Sequence, residues 1–177
     1  MAVDTLPTEI VKYPDPRLRR KAAPIEEFDD YVAALAERML ELMHTGRGVG
    51  LAGPQIGIPY RIFTCNPTGE PEDDLVFINP ELSDLVGSVE AEEGCLSVPE
   101  VLVNVRRARK CSIRAYDIQG RPFALEGEDL LARIWQHECD HLEGTLIVDR
   151  MNGTERIAYK RQLADLEAAY PRKARKR

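Results

Sequence analysis

Two of the chain's three histidines, His137 and His141, stand four residues apart in Gln136-His137-Glu138-Cys139-Asp140-His141. On a helix, residues at i and i+4 leave the same face about one turn apart. Two imidazole nitrogens so placed can bind one divalent ion. Glu138 is turned about 100° from His137, so its carboxylate reaches a water beside the ion without being a ligand. This is the HExxH arrangement of hydrolytic metal sites. An ionised Glu138 in an otherwise apolar helix costs free energy unless it has partners. A chance meeting of two scarce histidines accounts for neither the spacing nor the glutamate.

Catalytic sites of this kind use three protein ligands and keep one position open. The strongest candidate for the third is Cys95, in Glu93-Gly94-Cys95-Leu96-Ser97. It follows a predicted strand and precedes Pro99, so it falls in a turn. Gly94 frees the backbone to bring the thiol close to an ion, and a thiolate is a strong, soft ligand. His44 lies at the end of the first helix, where capping or packing occupies it. Cys139 is roughly 200° round the helix from His137 and reads as a small core residue. Glu155 and Glu167 offer carboxylates on a later helix, but no motif supports either.

A third segment, Gly48-Val49-Gly50-Leu51-Ala52-Gly53-Pro54-Gln55, contains G-x-G-x-x-G. A dinucleotide site needs a strand before these glycines and a helix opening within them. Here a helix precedes them and Pro54 removes an amide, which argues against a nucleotide. The segment reads instead as a tight loop passing close to a ligand. Gln55 either donates its side-chain amide to an oxyanion or satisfies a neighbouring backbone group.

The elements that must position these residues follow from periodicity. Asp29 or Asp30 caps a first helix carrying Val32, Leu35, Met39 and Met43 on one stripe, and Gly46 and Gly48 stop it. Short segments rich in Val, Ile and aromatics then read as strands: 60–65, 75–79, 86–90, 101–105 and 111–116. No helix separates them, so antiparallel pairing is expected. A second helix runs from about Glu128 to Leu142. It has apolar residues on more than one face and is therefore buried; Gly144 suits its end. A last helix starts near Thr154, with Tyr159, Leu163, Leu166 and Tyr170 as its stripe, and ends before Pro171. The expected fold is α+β: antiparallel sheets around a buried metal-binding helix, with an N-terminal and a C-terminal helix. One domain spanning 1–177 is expected.

Bulk properties narrow the classes. The 177 residues are 44% hydrophobic and 31% charged, a globular composition. No apolar run approaches the roughly 18 residues that span a bilayer. The first ten residues have neither a basic start nor an apolar stretch, which predicts no secretory signal and a cytoplasmic protein. The four cysteines form no CxxC pair, so free thiols or metal ligands are expected. Residues 154–177 carry eight basic and three acidic side chains, a balance of +5, against −11 for residues 1–153. The acidic body predicts no DNA binding. The basic end, 171–177, is either a solvated tail or a dock for an acidic surface such as the ribosome.

With the three segments in this order, the chain resembles the peptide deformylase family, whose motifs are GxGxAAxQ, EGCLS and HExDH. Here they read GVGLAGPQ (48–55), EGCLS (93–97) and HECDH (137–141). Asp15-Pro16-Arg17-Leu18-Arg19, Gln136 and Leu142-Glu143-Gly144 extend the likeness, which covers residues 8 to about 165. The short spacing from 55 to 93 and the helical C-terminus resemble the bacterial and organellar type I form. The resemblance implies that Cys95, His137 and His141 bind the ion, Fe(II) natively, with zinc, nickel or cobalt able to replace it. It implies that Glu138 is the general acid and base, and that Gln55 and the Leu96 amide hold the formyl oxygen. Val49, Gly50, Glu93 and Ile134 are then expected to bind the N-formylmethionyl end of a nascent peptide. Val49, Leu96 and Ile134 line the methionine pocket, and the peptide backbone adds to a strand edge at Gly48–Gly50. Three departures stand out. Gly53 replaces an alanine, predicting a slightly looser loop. Arg133 and Trp135 replace aliphatic residues, which opens the shape of the methionine pocket to question. A general HExxH metallopeptidase and a non-catalytic metal-bound module are the rival readings; the Cys95 segment, Gln55 and an intact Glu138 argue against them.

Overall fold

The computed structural model describes residues 6–170. Helix α1 (Asp30–Thr45) begins where the Asp29 carboxylate accepts the Val32 amide at 3.0 Å. Val32, Leu35, Ala36, Met39 and Met43 are buried along one stripe. Each large apolar side chain so buried contributes about 1.5–3 kcal/mol, against about 1 kcal/mol for the cap. Packing therefore fixes this helix more than its cap does.

Five antiparallel strands form the main sheet in the order β1 (Gly50–Ala52), β2 (Ile62–Cys65), β3 (Leu75–Val86), β6 (Lys110–Tyr116) and β7 (Pro122–Glu128). Side chains alternate across a strand, and β2 shows what that does. Ile62 joins the cluster under α1, whereas Phe63 and Cys65 join the cluster under helix α2 (Asp129–Leu142). The two helices thus cover opposite faces of one sheet. Phe77 and Trp135 meet edge-on at 5.7 Å in the α2 layer.

A separate hairpin, β4 (Val89–Cys95) and β5 (Val98–Arg107), shares no ladder with the main sheet. Val101, Val103 and Val105 of β5 pack against Leu146, Ile147, Val148 and Met151 after α2. Tyr159, Leu163 and Leu166 complete that cluster from the last two helices, α3 (Gly153–Ala158) and α4 (Lys160–Ala169).

The α+β architecture agrees with the sequence expectation, with four differences. The strand expected at 75–79 runs on to Val86 through Pro80, because a register shift between Ile78 and Glu81 absorbs the proline. The strand expected at 86–90 instead begins at Val89, after a turn at Gly87. β7 was not anticipated, and the strand edge expected at Gly48–Gly50 is instead β1, Gly50–Ala52. The C-terminal helix is broken at Tyr159 into two. Residues 171–177, the basic end, lie outside the described residues. Among the described residues no helix is long and apolar enough to cross a membrane.

Candidate metal centre

Helix α2 is held in depth and rotation by polar pins as well as apolar contacts. The Gln136 side chain accepts from the Ala108 amide at 3.0 Å and donates to the Ala108 carbonyl at 2.9 Å. Asp140 accepts from Arg107 at 2.9 Å and from Arg150 at 2.8 and 2.6 Å. With the helix so fixed, His137 and His141 face the tip of the β4–β5 hairpin. There Cys95 ends β4 and pairs with Val98, leaving Leu96 and Ser97 as the turn.

The ligand atoms of Cys95, His137 and His141 all lie within 4.8 Å of one another. His137 Nε2 is 3.2 Å from His141 Nε2, and Cys95 Sγ is 3.3 Å from His141 Nε2. Tetrahedral coordination with ordinary metal–nitrogen and metal–sulfur bonds would give separations of about 3.4 and 3.6 Å. The three donors therefore fit a single ion with little movement. Their softness suits a first-row transition metal over magnesium or calcium.

Glu93 organises this site from behind. Its carboxylate accepts from His137 Nδ1 at 3.0 Å, from Arg107 at 2.6 and 2.9 Å, and from Arg133 at 2.5 Å. Burial alone would raise the Glu93 pKa. The hydrogen bonds from His137 and Arg107 outweigh it and bring the value down to about 2. A carboxylate on Nδ1 fixes the imidazole so that Nε2 points at the ion. Burial would lower His137, but its bonds with Cys95 and Glu93 raise it to about 10. Burial and the charges of His137 and Arg107 push His141 well down, toward the neutral form that ligation needs.

Glu138 is 3% exposed, and its Oε2 has no partner among the described residues. Burial, first of all, pushes its pKa up to about 7; His137 and Arg107 oppose that less strongly. A Cβ at position 50 would collide with the Glu138 carboxylate, so only glycine leaves room for it there. Gln55 is nearly fully buried. Its Oε1 accepts from the Ala52 amide at 2.8 Å, and its Nε2 lies 3.2 Å from Ser97 Oγ and 3.5 Å from Cys95 Sγ. Its Oε1 thus satisfies a neighbouring backbone group, the second of the two sequence readings of Gln55, while its Nε2 faces the cavity side with Ser97 and Cys95. The Leu96 amide has no acceptor among the described residues. Gln55, Glu93, Cys95, Leu96, His137 and Glu138 border one cavity of about 390 Å³, which Val49, Gly50 and Ile134 also line.

The sequence model of the polypeptide deformylase family matches residues 7–157. The chain belongs to that family. Its relatives include the peptide deformylases of Acidobacterium capsulatum, 41% identical over 90% of this chain and 95% of theirs, and of Alkalilimnicola ehrlichii, 43% identical over 89% of each. Among solved structures, a peptide deformylase from Legionella pneumophila superposes with a TM-score of 0.86 at 40% identity, covering 94% of this chain and 100% of that one. Peptide deformylase 1B of Arabidopsis thaliana, in complex with an inhibitor, gives 0.88 at 39% identity, covering 94% and 93%. Polypeptide deformylases are metal-dependent, in keeping with the ligand cluster.

Within the family frame, Cys95, His137, Glu138, Gln55, Leu96, Val49, Gly50 and Ile134 all converge on the cavity, and His141 joins Cys95 and His137 in the ligand cluster just behind its wall. Glu93 lines it too, but its carboxylate is committed to His137 and the two arginines. His44 bonds Asp74 at 2.8 Å, Glu155 accepts the Asn104 amide, and Glu167 accepts from Tyr13, so none of the three joins the cluster. Cys139 packs against the core under α2. Two expectations about departures need correction. Gly53 does not loosen its loop: a Cβ there would stand 2.7 Å from the Tyr60 carbonyl and 2.9 Å from that of Ile58. Trp135 is fully buried against Gly127 and Phe77, away from the cavity, whereas Arg133 does line it. Arg107 was missed. The alternation of Val101, Val103 and Val105 continues to it, and a cation at an inward strand position was the available signal.

Proposed function

We propose that Cys95, His137 and His141 hold one divalent ion, and that Glu138 moves the protons as the N-formyl group is hydrolysed from the starting methionine of new polypeptides. Removal of that group is the reaction of the family. The single observation that carries the role of Glu138 is its unpartnered, buried Oε2, with a pKa of about 7, beside three converging ligand atoms. A base with such a pKa takes and returns a proton near neutral pH with little cost in either direction.

Bound by these ligands, the ion supplies Lewis acidity, polarising the formyl group and making water a better nucleophile. Glu138 accepts a proton from the water as its oxygen bonds to the formyl carbon. Gln55 Nε2 and the Leu96 amide donate to the oxygen that gains charge. Glu138 then hands its proton to the amine nitrogen as the C–N bond breaks, releasing formate and a free N-terminus. Val49, Leu96 and Ile134 provide apolar wall for the methionine side chain. Glu93 binds no substrate through its carboxylate in this scheme; it holds His137. The peptide backbone extends β1, an edge strand, by strand addition.

We assign Fe(II) as the native ion, with zinc, nickel or cobalt able to take the same donors. We place the reaction in the cytoplasm, with the basic end 171–177 as the segment suited to the ribosome surface. Co-sedimentation with ribosomes, with and without those residues, tests that placement. The central test is formate release from formyl-Met-Ala-Ser by protein purified without oxygen in the presence of Fe(II). Release abolished by a chelator supports the assignment. No release from metal-loaded protein, or cleavage of internal peptide bonds instead, refutes it.

A further inference from the structure

Arg47 ends α1 in a backbone conformation that arginine does not favour. Its φ is +55°. The Gly48 amide donates to Met43 O at 2.9 Å and the Arg47 amide to His44 O at 2.9 Å. This is the helix end at which a left-handed residue, usually Gly or Asn, closes the last turn. A β-carbon there costs free energy that glycine avoids. The side chain gains nothing back within the fold: it is exposed, and it makes no ion pair or side-chain hydrogen bond among the described residues. It does line the cavity that holds the metal ligands.

Gly50 backs on the Glu138 carboxylate and so marks the reacting end of the cavity. One side of β1 is spent on β2, through Gly50↔Cys65, and the Val49 carbonyl turns the same way to the Asn66 amide at 2.9 Å. The other side is a free edge. A peptide running antiparallel to residues 50–47 advances about 3.3 Å per residue. With formyl-Met at Gly50, its third residue therefore comes level with Gly48, one position or about 3.3 Å short of Arg47, a gap that the long arginine side chain can span. The rim is otherwise apolar, with Val49 and Leu130 about half exposed, apart from Glu92 on β4.

We infer that Arg47 is a specificity-determining residue that favours peptides with a negative charge at the third position, counting formyl-Met as the first. This rests on the deformylase reading above. It also explains why the chain tolerates an arginine where glycine would fit the backbone better.

The test uses Fe(II)-loaded protein and three amidated peptides, formyl-Met-Ala-Asp, formyl-Met-Ala-Asn and formyl-Met-Ala-Lys, so that no terminal carboxylate competes. Absence of turnover on the Asn peptide would mean that the deformylase reading itself fails. Given turnover, kcat/KM is expected to favour Asp over Lys by about threefold to fivefold at low salt. The difference should reside in KM and shrink in 0.5 M salt, where screening is nearly complete beyond about 4 Å. Arg47→Glu should reverse the order. Arg47→Gly should erase it while melting no lower than the parent chain, which separates loss of the charge from loss of the fold. Equal rates on Asp and Lys, or an order unchanged in Arg47→Gly, overturn the inference. Preference for Lys also overturns it and assigns the discrimination to Glu92.

Discussion

Replacing Glu93 with glutamine removes one negative charge from a group that accepts hydrogen bonds from two guanidiniums and an imidazole. Two routes give the size of the effect. Depression of the carboxyl from 4.5 to about 2, at about 1.4 kcal/mol per pH unit, corresponds to about 3 kcal/mol. Removing one partner of a buried ion pair costs about 3–5 kcal/mol, because the remaining charges stay buried; Glu93 is 7% exposed. About 3 kcal/mol in a chain of this size lowers Tm by about 6–12 °C. A group whose folded pKa is depressed contributes stability that is complete above its unfolded pKa and disappears as pH falls through the folded one. The gap between the parent chain and Glu93→Gln should therefore be full at pH 7 and narrow below pH 4.5 toward pH 2. Urea melts of metal-free protein across that range measure it. A gap under about 1 kcal/mol at pH 7, or one that stays constant below pH 4.5, would refute the account of Glu93 as the charge that holds the site together.

Glu138→Gln should retain metal, measured by elemental analysis, and lose at least about 10²-fold in kcat, as removal of a general base does. The same variant, metal-free, should be the more stable protein at alkaline pH. The parent's Glu138 pKa is raised from 4.5 to about 7, so its stabilising effect is present below pH 4.5 and lost by pH 7, on the order of 3 kcal/mol; equal urea midpoints at pH 8 would contradict this. Gly50→Ala pushes a methyl group into the Glu138 carboxylate and should cost about 10²-fold in rate, the price of misplacing a reacting group by roughly 1 Å, with a circular dichroism spectrum like the parent's. Cys95→Ser exchanges a soft thiolate for a hydroxyl and should release most of the metal on gel filtration; full retention would place the third ligand elsewhere.

How legible all this was depended on the range of the interactions involved. The HECDH segment was readable because a helix fixes the relation of His137, Glu138 and His141 locally. Cys95 and Gln55 were readable as candidates through their glycine-rich surroundings, but their approach to within 3.5 Å of each other depends on how a hairpin and a loop pack. β1 was expected only as an edge at 48–50, through the resemblance and not from its residues, because Gly50-Leu51-Ala52 has no β-branched residue and is a strand only through its pairing with β2. β7 begins at a proline, is mostly exposed and carries charge, as an edge strand does. The break at Tyr159 lies within one apolar stripe, so periodicity could not reveal it. The Glu93–Arg107–Arg133 cluster joins β4, β5 and α2; Glu93 and Arg133 were singled out in the sequence but not their pairing, and Arg107 left only a charge where alternation called for an apolar residue.

The β4–β5 hairpin shares no backbone ladder with the main sheet, yet it brings Cys95 to histidines more than 40 positions later in the chain. Metal occupancy by the proposed ligands would consequently be a form of tertiary closure. An ion so held would tie off a loop that the polypeptide otherwise secures through its valines, the Glu93 ion pairs and hydrogen bonds such as those of Asn104 with Glu155. The energy available to the closed state grows with the ratio of free ion to its dissociation constant. A cell short of the ion would hold not an intact enzyme awaiting its cofactor but a chain with one flap on looser hinges, and proteases would meet that difference before any substrate did.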